Sequence, residues 1–413
     1  MIHSGKSVIQ LGVIGLGGRG RSLLKELLAM DDVSVTAVCD VYDDRLQMGL
    51  TIAKQAESPA EGYSDYKAML ERDDLQGVII ATTWNTHAEI AIAAMKAGKY
   101  AGIEVGGAAS LEECWELVRT SEETGLPCML LENCCYGRDE LAVLNMVKQG
   151  LFGELIHCQC GYQHDLRDEV AMGEENRHNR FHNYLHRNGE LYPIHGLGPI
   201  SKCLDINRGN RLLSLTSMSS KARGIRHWVN ENLGEEHPLA KLEFAQGDIV
   251  TTMIKCARGE TIQLIHDTTL PRPYSRAGRV QGTKGIWMED NNSIHIEGRS
   301  PAHRWESFDS YREQYEHPIW KHYLKDGVRE GHGGIDYLVL RAFAESIKHG
   351  TDTPIDVYDT AVWMAITVLS EQSIQLGSAP MNIPDFTKGK WIKRSPGPDS
   401  RYTLEKVDNT LFG

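Results

Sequence analysis

Short apolar runs rich in β-branched residues alternate with amphipathic stretches along the first third of the chain. Val8–Ile14 is such a run, and its length and composition predict a buried strand. It leads into Gly15-Leu16-Gly17-Gly18-Arg19-Gly20, after which Leu23, Leu24, Leu27 and Leu28 recur at helical spacing. Further strands are predicted over Val33–Cys39, Gly77–Thr82, Lys99–Val105 and Gly125–Leu131, and helices over Ala88–Ala97 and Leu111–Thr124. Strands alternating with helices build a doubly wound parallel sheet. Beyond residue 150 the texture changes. Ile156–Gln163, Leu212–Ser220, Ile249–Cys256, Thr261–Thr269 and Val280–Glu289 read as strands with few helices between them. That pattern suits a large, mostly antiparallel open sheet. Helices are expected over Tyr337–His349 and Val357–Gln375. The chain is therefore read as α/β, with a first domain over residues 1–150 and an α+β second domain over 151–413.

The glycine run matches G-x-G-x-x-G through Gly15, Gly17 and Gly20, between a strand and a helix. Asp40 ends the next strand, 20 positions beyond Gly20. This is the context of a dinucleotide-binding Rossmann domain. The glycines allow a tight turn and close backbone approach, and the helix N-terminus offers free N–H groups to a pyrophosphate. Asp40 can accept hydrogen bonds from a ribose, and its charge disfavours a 2′-phosphate, so NAD is expected rather than NADP. Trp84, Asn85, Thr86 and His87 follow the third strand, where a loop faces the ligand crevice. A helix cap at Thr86 with Trp84 in the core is the competing reading.

Composition narrows the function classes. The 413-residue chain carries a net charge of −12, which disfavours general nucleic-acid binding. No apolar run is long enough to span a membrane, and no secretory signal is read at the N-terminus. The nine cysteines form no CxxC pair, so free thiols in a reducing cytoplasm are expected. His178, His182 and His186 recur every four residues, a spacing that would align them on a helix and that zinc could use. No acidic partner completes a known motif, so a solvated or sugar-contacting face is expected and no metal.

Glu104-Val105 closes the fourth strand, where the family of glucose–fructose oxidoreductase and inositol dehydrogenase usually has Glu-Lys-Pro. The chain resembles that family along most of its length but lacks its lysine. Glu132-Asn133-Cys134-Cys135-Tyr136-Gly137-Arg138, Tyr192-Pro193-Ile194-His195-Gly196-Leu197-Gly198-Pro199 and Cys203-Leu204-Asp205-Ile206-Asn207-Arg208-Gly209 resemble a narrower group, glycoside hydrolase family 109. The resemblance implies an NAD-dependent glycosidase, with α-N-acetylgalactosaminidase as the family's named activity. It implies transient oxidation at the sugar C3, loss of the C2 proton, elimination, water addition and re-reduction, without net redox change.

Carried onto this sequence, the NAD contacts are Gly15, Gly17, Arg19, Gly20, Asp40, Trp84 to His87 (including Asn85 and Thr86), Glu104, Val105 and Asn133. The sugar contacts are Tyr162, Arg180, Tyr192, His195 and Tyr274. Of the catalytic residues, His195 and Tyr192 are expected at the C3 hydroxyl and Tyr136 as the C2 base. Tyr274 is expected at the leaving group, and Glu104 as an orienting group. The alternatives are a net sugar dehydrogenase, or a glycosidase with another glycone or anomer. The partner is expected to be a small glycoside, and the chain to form a dimer or tetramer.

Overall fold

The computed structural model describes residues 8–329, 331–394, 397, 400–407, 410 and 412. Its first sheet contains β1 (Ile9–Ile14), β2 (Val33–Cys39), β3 (Glu61–Tyr63), β4 (Gly77–Ile80), β5 (Tyr100–Ile103) and β6 (Cys128–Leu130). They lie in the order β3-β2-β1-β4-β5-β6, all parallel. The chain winds outward in both directions from β1, so the ligand crevice falls at the carboxyl ends of β1 and β4. The helix at Leu111–Thr124 has the predicted bounds, with a capping box between Ser110 and Glu113. The helix expected from Ala88 starts earlier, at Trp84, behind Thr83. Helices at Asp43–Gln55 and Arg138–Lys148 were not foreseen.

The second sheet comprises β7 (Leu155–Gln163), β8 (Leu212–Ser219), β9 (Ile249–Cys256), β10 (Thr261–Asp267), β11 (Arg279–Gly282), β12 (Gly285–Met288), β13 (Ser293–Ile296), β14 (Glu306–Ser307) and β15 (Met381–Asn382). The order is β14-β13-β12-β11-β7-β10-β9-β8-β15, antiparallel except where β7 meets β10. The strand expected over Val280–Glu289 is a hairpin instead. Thr283 and Lys284 turn the chain, and their N–H groups donate to the carbonyls of Glu154 and Phe152 at 2.9 Å each. A Cβ on Gly282 would fall 2.2 Å from the Phe152 carbonyl oxygen, so only glycine fits that corner.

Two late helices, Ile335–His349 and Val357–Gln375, return to the first sheet. Phe343 and Ile347 fill the space left by Gly102 and Gly77 on the sheet face. Ala108 N–H donates to the Met364 carbonyl at 3.2 Å, and Leu130 N–H to Thr360 Oγ1 at 3.2 Å. The Cys203–Gly209 motif belongs to this joint. Arg208 pairs with Asp356 at 2.7 Å and Asp359 at 2.9 Å, and the buried Lys202 pairs with Asp359 at 2.7 Å and Glu405 at 2.9 Å. Charges this deep persist only when paired and hydrogen-bonded. No helix among the described residues is long and apolar enough to cross a membrane.

Glu190 sits fully buried beneath β9. One carboxyl oxygen accepts from Thr252 Oγ1 at 3.0 Å, and the other has no partner among the described residues. Burial pushes its carboxyl up to about 8. A raised carboxyl favours the folded state at low pH and loses that stabilisation as pH rises from the ordinary carboxyl value through about 8. Stability should therefore fall between these values by about 1.4 kcal/mol per pH unit. Glu190→Gln should flatten that slope in urea denaturation across the window, and an unchanged slope would refute the assignment.

Candidate active site

The crevice at β1 and β4 opens into a cavity of about 470 Å³ lined by the glycine turn, Asp40, Trp84, Thr86, His87, Glu104 and Val105 on one side and Arg180 and Tyr192 on the other. Gly15 has φ +92°, and a Cβ there would meet Ala81 backbone atoms at 2.6 Å. A Cβ on Gly20 would sit 1.8 Å from the Gly15 carbonyl oxygen. Gly17 serves a different end, since its nearest obstacle is 3.7 Å away; its bare Cα leaves the helix N-terminus open to a ligand. Asp40 stitches this turn to β2, accepting from Leu16 N–H at 2.6 Å and Tyr42 N–H at 2.9 Å. Each carboxylate oxygen keeps lone pairs for a ribose hydroxyl. These features fit NAD.

The other residues expected at the cofactor lie around this turn. Arg19 is held by Glu104 at 2.8 Å and Asp336 at 2.6 Å. Asp336 is a buried hub, also accepting from Asn133 Nδ2 at 2.7 Å and pairing with His332 at 2.6 Å. Its partners hold its carboxyl well below the usual carboxylate range, against the opposing effect of burial. Glu104 also accepts from Val105 N–H at 3.1 Å, so it fixes Arg19 and the strand end rather than presenting a free carboxylate to substrate. His87 is buried with Nε2 against the Thr82 carbonyl at 3.1 Å, and burial pushes it down to about 4, so the ring is neutral. Thr86 Oγ1 donates to Thr82 Oγ1 at 2.8 Å, while Asn85 lines the neighbouring groove.

At the inner end an aromatic wall begins with Trp84, whose ring centroid lies 5.6 Å from that of Tyr192. Tyr192 stands 4.5 Å from Tyr162 and 4.9 Å from His195. Arg180 projects from the helix Arg180–His186 into this cage, 5.1 Å from the Tyr192 centroid and 5.7 Å from that of Tyr162. Its Nε is buried without a hydrogen-bond partner among the described residues, a donor left for a ligand. Tyr162 shares a hydrogen bond with His164 Nδ1 at 3.2 Å. Tyr274 stands at the half-exposed rim, its hydroxyl accepting from Arg276 at 3.4 Å.

His195 Nδ1 lies 2.9 Å from both oxygens of Glu132. A carboxylate only accepts, so Nδ1 carries the hydrogen and Nε2 is left as the basic nitrogen. Glu132 is fully buried and also accepts from Cys134 N–H at 2.8 Å. Two glycines bring the pieces together. A Cβ on Gly196 would lie 2.4 Å from Gly161 N, and one on Gly198 2.9 Å from Glu132 Cγ. The helix Ile194–Cys203 can therefore press against β7 and the turn Asn133–Tyr136.

Residues 9–131 match the oxidoreductase family with an NAD-binding Rossmann fold, and residues 136–393 match the C-terminal domain of glycosyl hydrolase 109. A glycosyl hydrolase family 109 protein of Stenotrophomonas maltophilia (strain K279a) is 47% identical over 413 residues, covering 94% of this chain and 91% of the relative. The chain belongs to glycosyl hydrolase family 109. An α-N-acetylgalactosaminidase of Tannerella forsythia is 43% identical, with 95% of this chain and 90% of the relative covered. A solved levoglucosan dehydrogenase in complex with NADH and levoglucosan shares the fold, with a TM-score of 0.68 at 19% identity over 91% of this chain and 99% of that one. This family 109 chain is an NAD-dependent glycoside hydrolase.

Within the family 109 site, Tyr136, expected as the C2 base, is set apart from the aromatic wall. It is fully buried and its hydroxyl donates to the Tyr402 carbonyl at 3.0 Å, which points it toward the C-terminal stretch. The histidine spacing also resolves differently. The helix begins at Arg180, so His178 lies outside it and pairs with Glu169 at 3.4 Å. Glu132, Cys134 and His195 place potential ligand atoms within 4.8 Å of one another, although their hydrogen bonds already describe a carboxylate orienting an imidazole. Glu132 and Asp336 are the residues that sequence reasoning missed. Glu132 stood inside a quoted motif at the carboxyl end of a strand, the place where ligand-facing groups gather.

Proposed function

We propose that the enzyme hydrolyses terminal α-N-acetylgalactosaminides, with small glycosides as substrates. The 43% identity to the Tannerella α-N-acetylgalactosaminidase carries this reading of the glycone. When bound, NAD supplies reversible oxidation at the sugar C3, which acidifies the C2 hydrogen. His195, oriented by Glu132, takes and returns the C3 hydroxyl proton, with Tyr192 beside it. Tyr162 replaces Tyr136 as the C2 base, because its phenol faces Arg180 and His164 at the wall. Arg180 donates to the sugar or its acetamido carbonyl, and Tyr274 at the rim meets the leaving group. Water replaces the departing alcohol at C1, so the net reaction is hydrolysis.

The outward face of the second sheet exposes Met218 and Met253, and we place the contact between copies of the chain there. The nine buried free thiols suit a reducing cytoplasm.

The test is NMR of α- and β-glycosides of GalNAc, GlcNAc, galactose and glucose with the enzyme in D2O. Free GalNAc with deuterium at C2 and no NADH build-up is the expected result. Turnover of another glycone alone would replace the substrate. A ketosugar with stoichiometric NADH would replace the mechanism.

A further inference from the structure

The glycine turn and Asp40 account for one side of the cofactor cleft. A segment of the second domain reaches across its rim. Asn176 to Arg180 line the same cavity as Asp40 and Tyr42, opposite the carboxylate that marks the adenosine ribose. The segment is fastened to the first domain by three contacts. Arg177 forms a bidentate pair with Asp44 at 3.0 and 2.6 Å. Arg45 Nη2 donates to the carbonyls of Asn176 at 3.1 Å and Arg177 at 3.3 Å. The Tyr42 ring lies 5.0 Å from the Arg45 guanidinium and 4.5 Å from that of Arg177.

Arg177 adopts a left-handed backbone, φ 53°, uncommon for a residue with a Cβ and a sign of a turn held by its surroundings. The chain that leaves this turn delivers Arg180 to the aromatic wall three residues later.

We propose that the Asp44–Arg177 pair, with Arg45 and Tyr42, is a clasp that closes the second domain over the adenosine end of NAD and governs how slowly the bound cofactor leaves. The inference rests on the NAD site described above and extends it to residues outside the glycine motif. A redox-neutral cycle regenerates its cofactor in place, so a closed clasp does not limit turnover. A bidentate arginine–carboxylate pair has the directionality such a latch needs. Because both side chains are partly exposed, salt should weaken it.

The test loads full-length protein with etheno-NAD, chases with unlabelled NAD, and follows release by fluorescence. Arg177→Ala and Asp44→Ala should each release the probe about two- to fivefold faster, the range for loss of one exposed ion pair. The double variant should be no faster than either single one, the signature of one shared interaction. Release from the unaltered protein should accelerate with NaCl more steeply than from the variants. Unaltered release in both variants, or effects that multiply in the double variant, would overturn the clasp while leaving the NAD site standing. Failure of protein first freed of bound nucleotide to take up etheno-NAD at all would overturn the cofactor reading and the clasp with it.

Discussion

Glutamine in place of Glu132 should lower turnover by about 100- to 10,000-fold while NAD binding persists. A carboxylate forces the hydrogen onto His195 Nδ1, 2.9 Å away, and leaves Nε2 basic. An amide NH2 in the same place donates to Nδ1 and stabilises the other tautomer, whose Nε2 has no lone pair to offer. The defect should be in kcat more than in KM, since substrate contacts remain. His195→Ala should be equally slow, and combining the two changes should add little, because both remove one unit. Single-turnover and steady-state kinetics on a GalNAc glycoside would read this. Near-normal turnover of Glu132→Gln would remove Glu132 from the mechanism.

The largest effect on stability is expected at Asp336. Its side chain is fully shielded and receives Arg19, Asn133 and His332. Asp336→Ala should destabilise the protein by about 1–3 kcal/mol, because the buried Asn133 amide loses its acceptor while Arg19 keeps Glu104 and His332 can turn to water. The sign with pH follows from the lowered carboxyl. Its stabilisation is complete above the ordinary carboxylate value and is lost as pH falls through the folded-state value below it. The gap between Asp336→Ala and the unaltered protein should therefore be wide at neutral pH and narrow in strong acid. Urea denaturation at both extremes tests it, and an equal gap would show that Asp336 acts through packing alone.

The first sheet was legible because parallel strands buried on both faces read as unbroken apolar runs, and Val33–Cys39 has its predicted bounds. The cofactor turn was legible because its glycines answer to backbone geometry alone. The hairpin inside Val280–Glu289 was hidden because Gly282, Thr283 and Lys284 turn only by bonding to a distant loop at Phe152 and Glu154. Asp336 lies 317 positions from Arg19, beyond any local pattern. Tyr136 stands inside the Glu132–Arg138 motif and Tyr162 outside every quoted motif, and only the direction of each side chain tells which of them meets the wall. Glu132 required knowing that Gly198 lets a later helix approach it.

The return of the late helices to the first sheet has a consequence for synthesis. Arg341 and Lys348 both clamp Asp32 at the start of β2, and Phe343 and Ile347 cover sheet glycines, so the amino-terminal half lacks a wall until residues near 375 have been made. A nascent chain halted at residue 150 carries every glycine of the cofactor turn but neither Asp336 nor the apolar cover. Contacts this far apart in sequence favour slow, late closure. The cover of that sheet thus arrives only when nearly all of the polypeptide has left the ribosome, and an early arrest product exposes the sheet's apolar face.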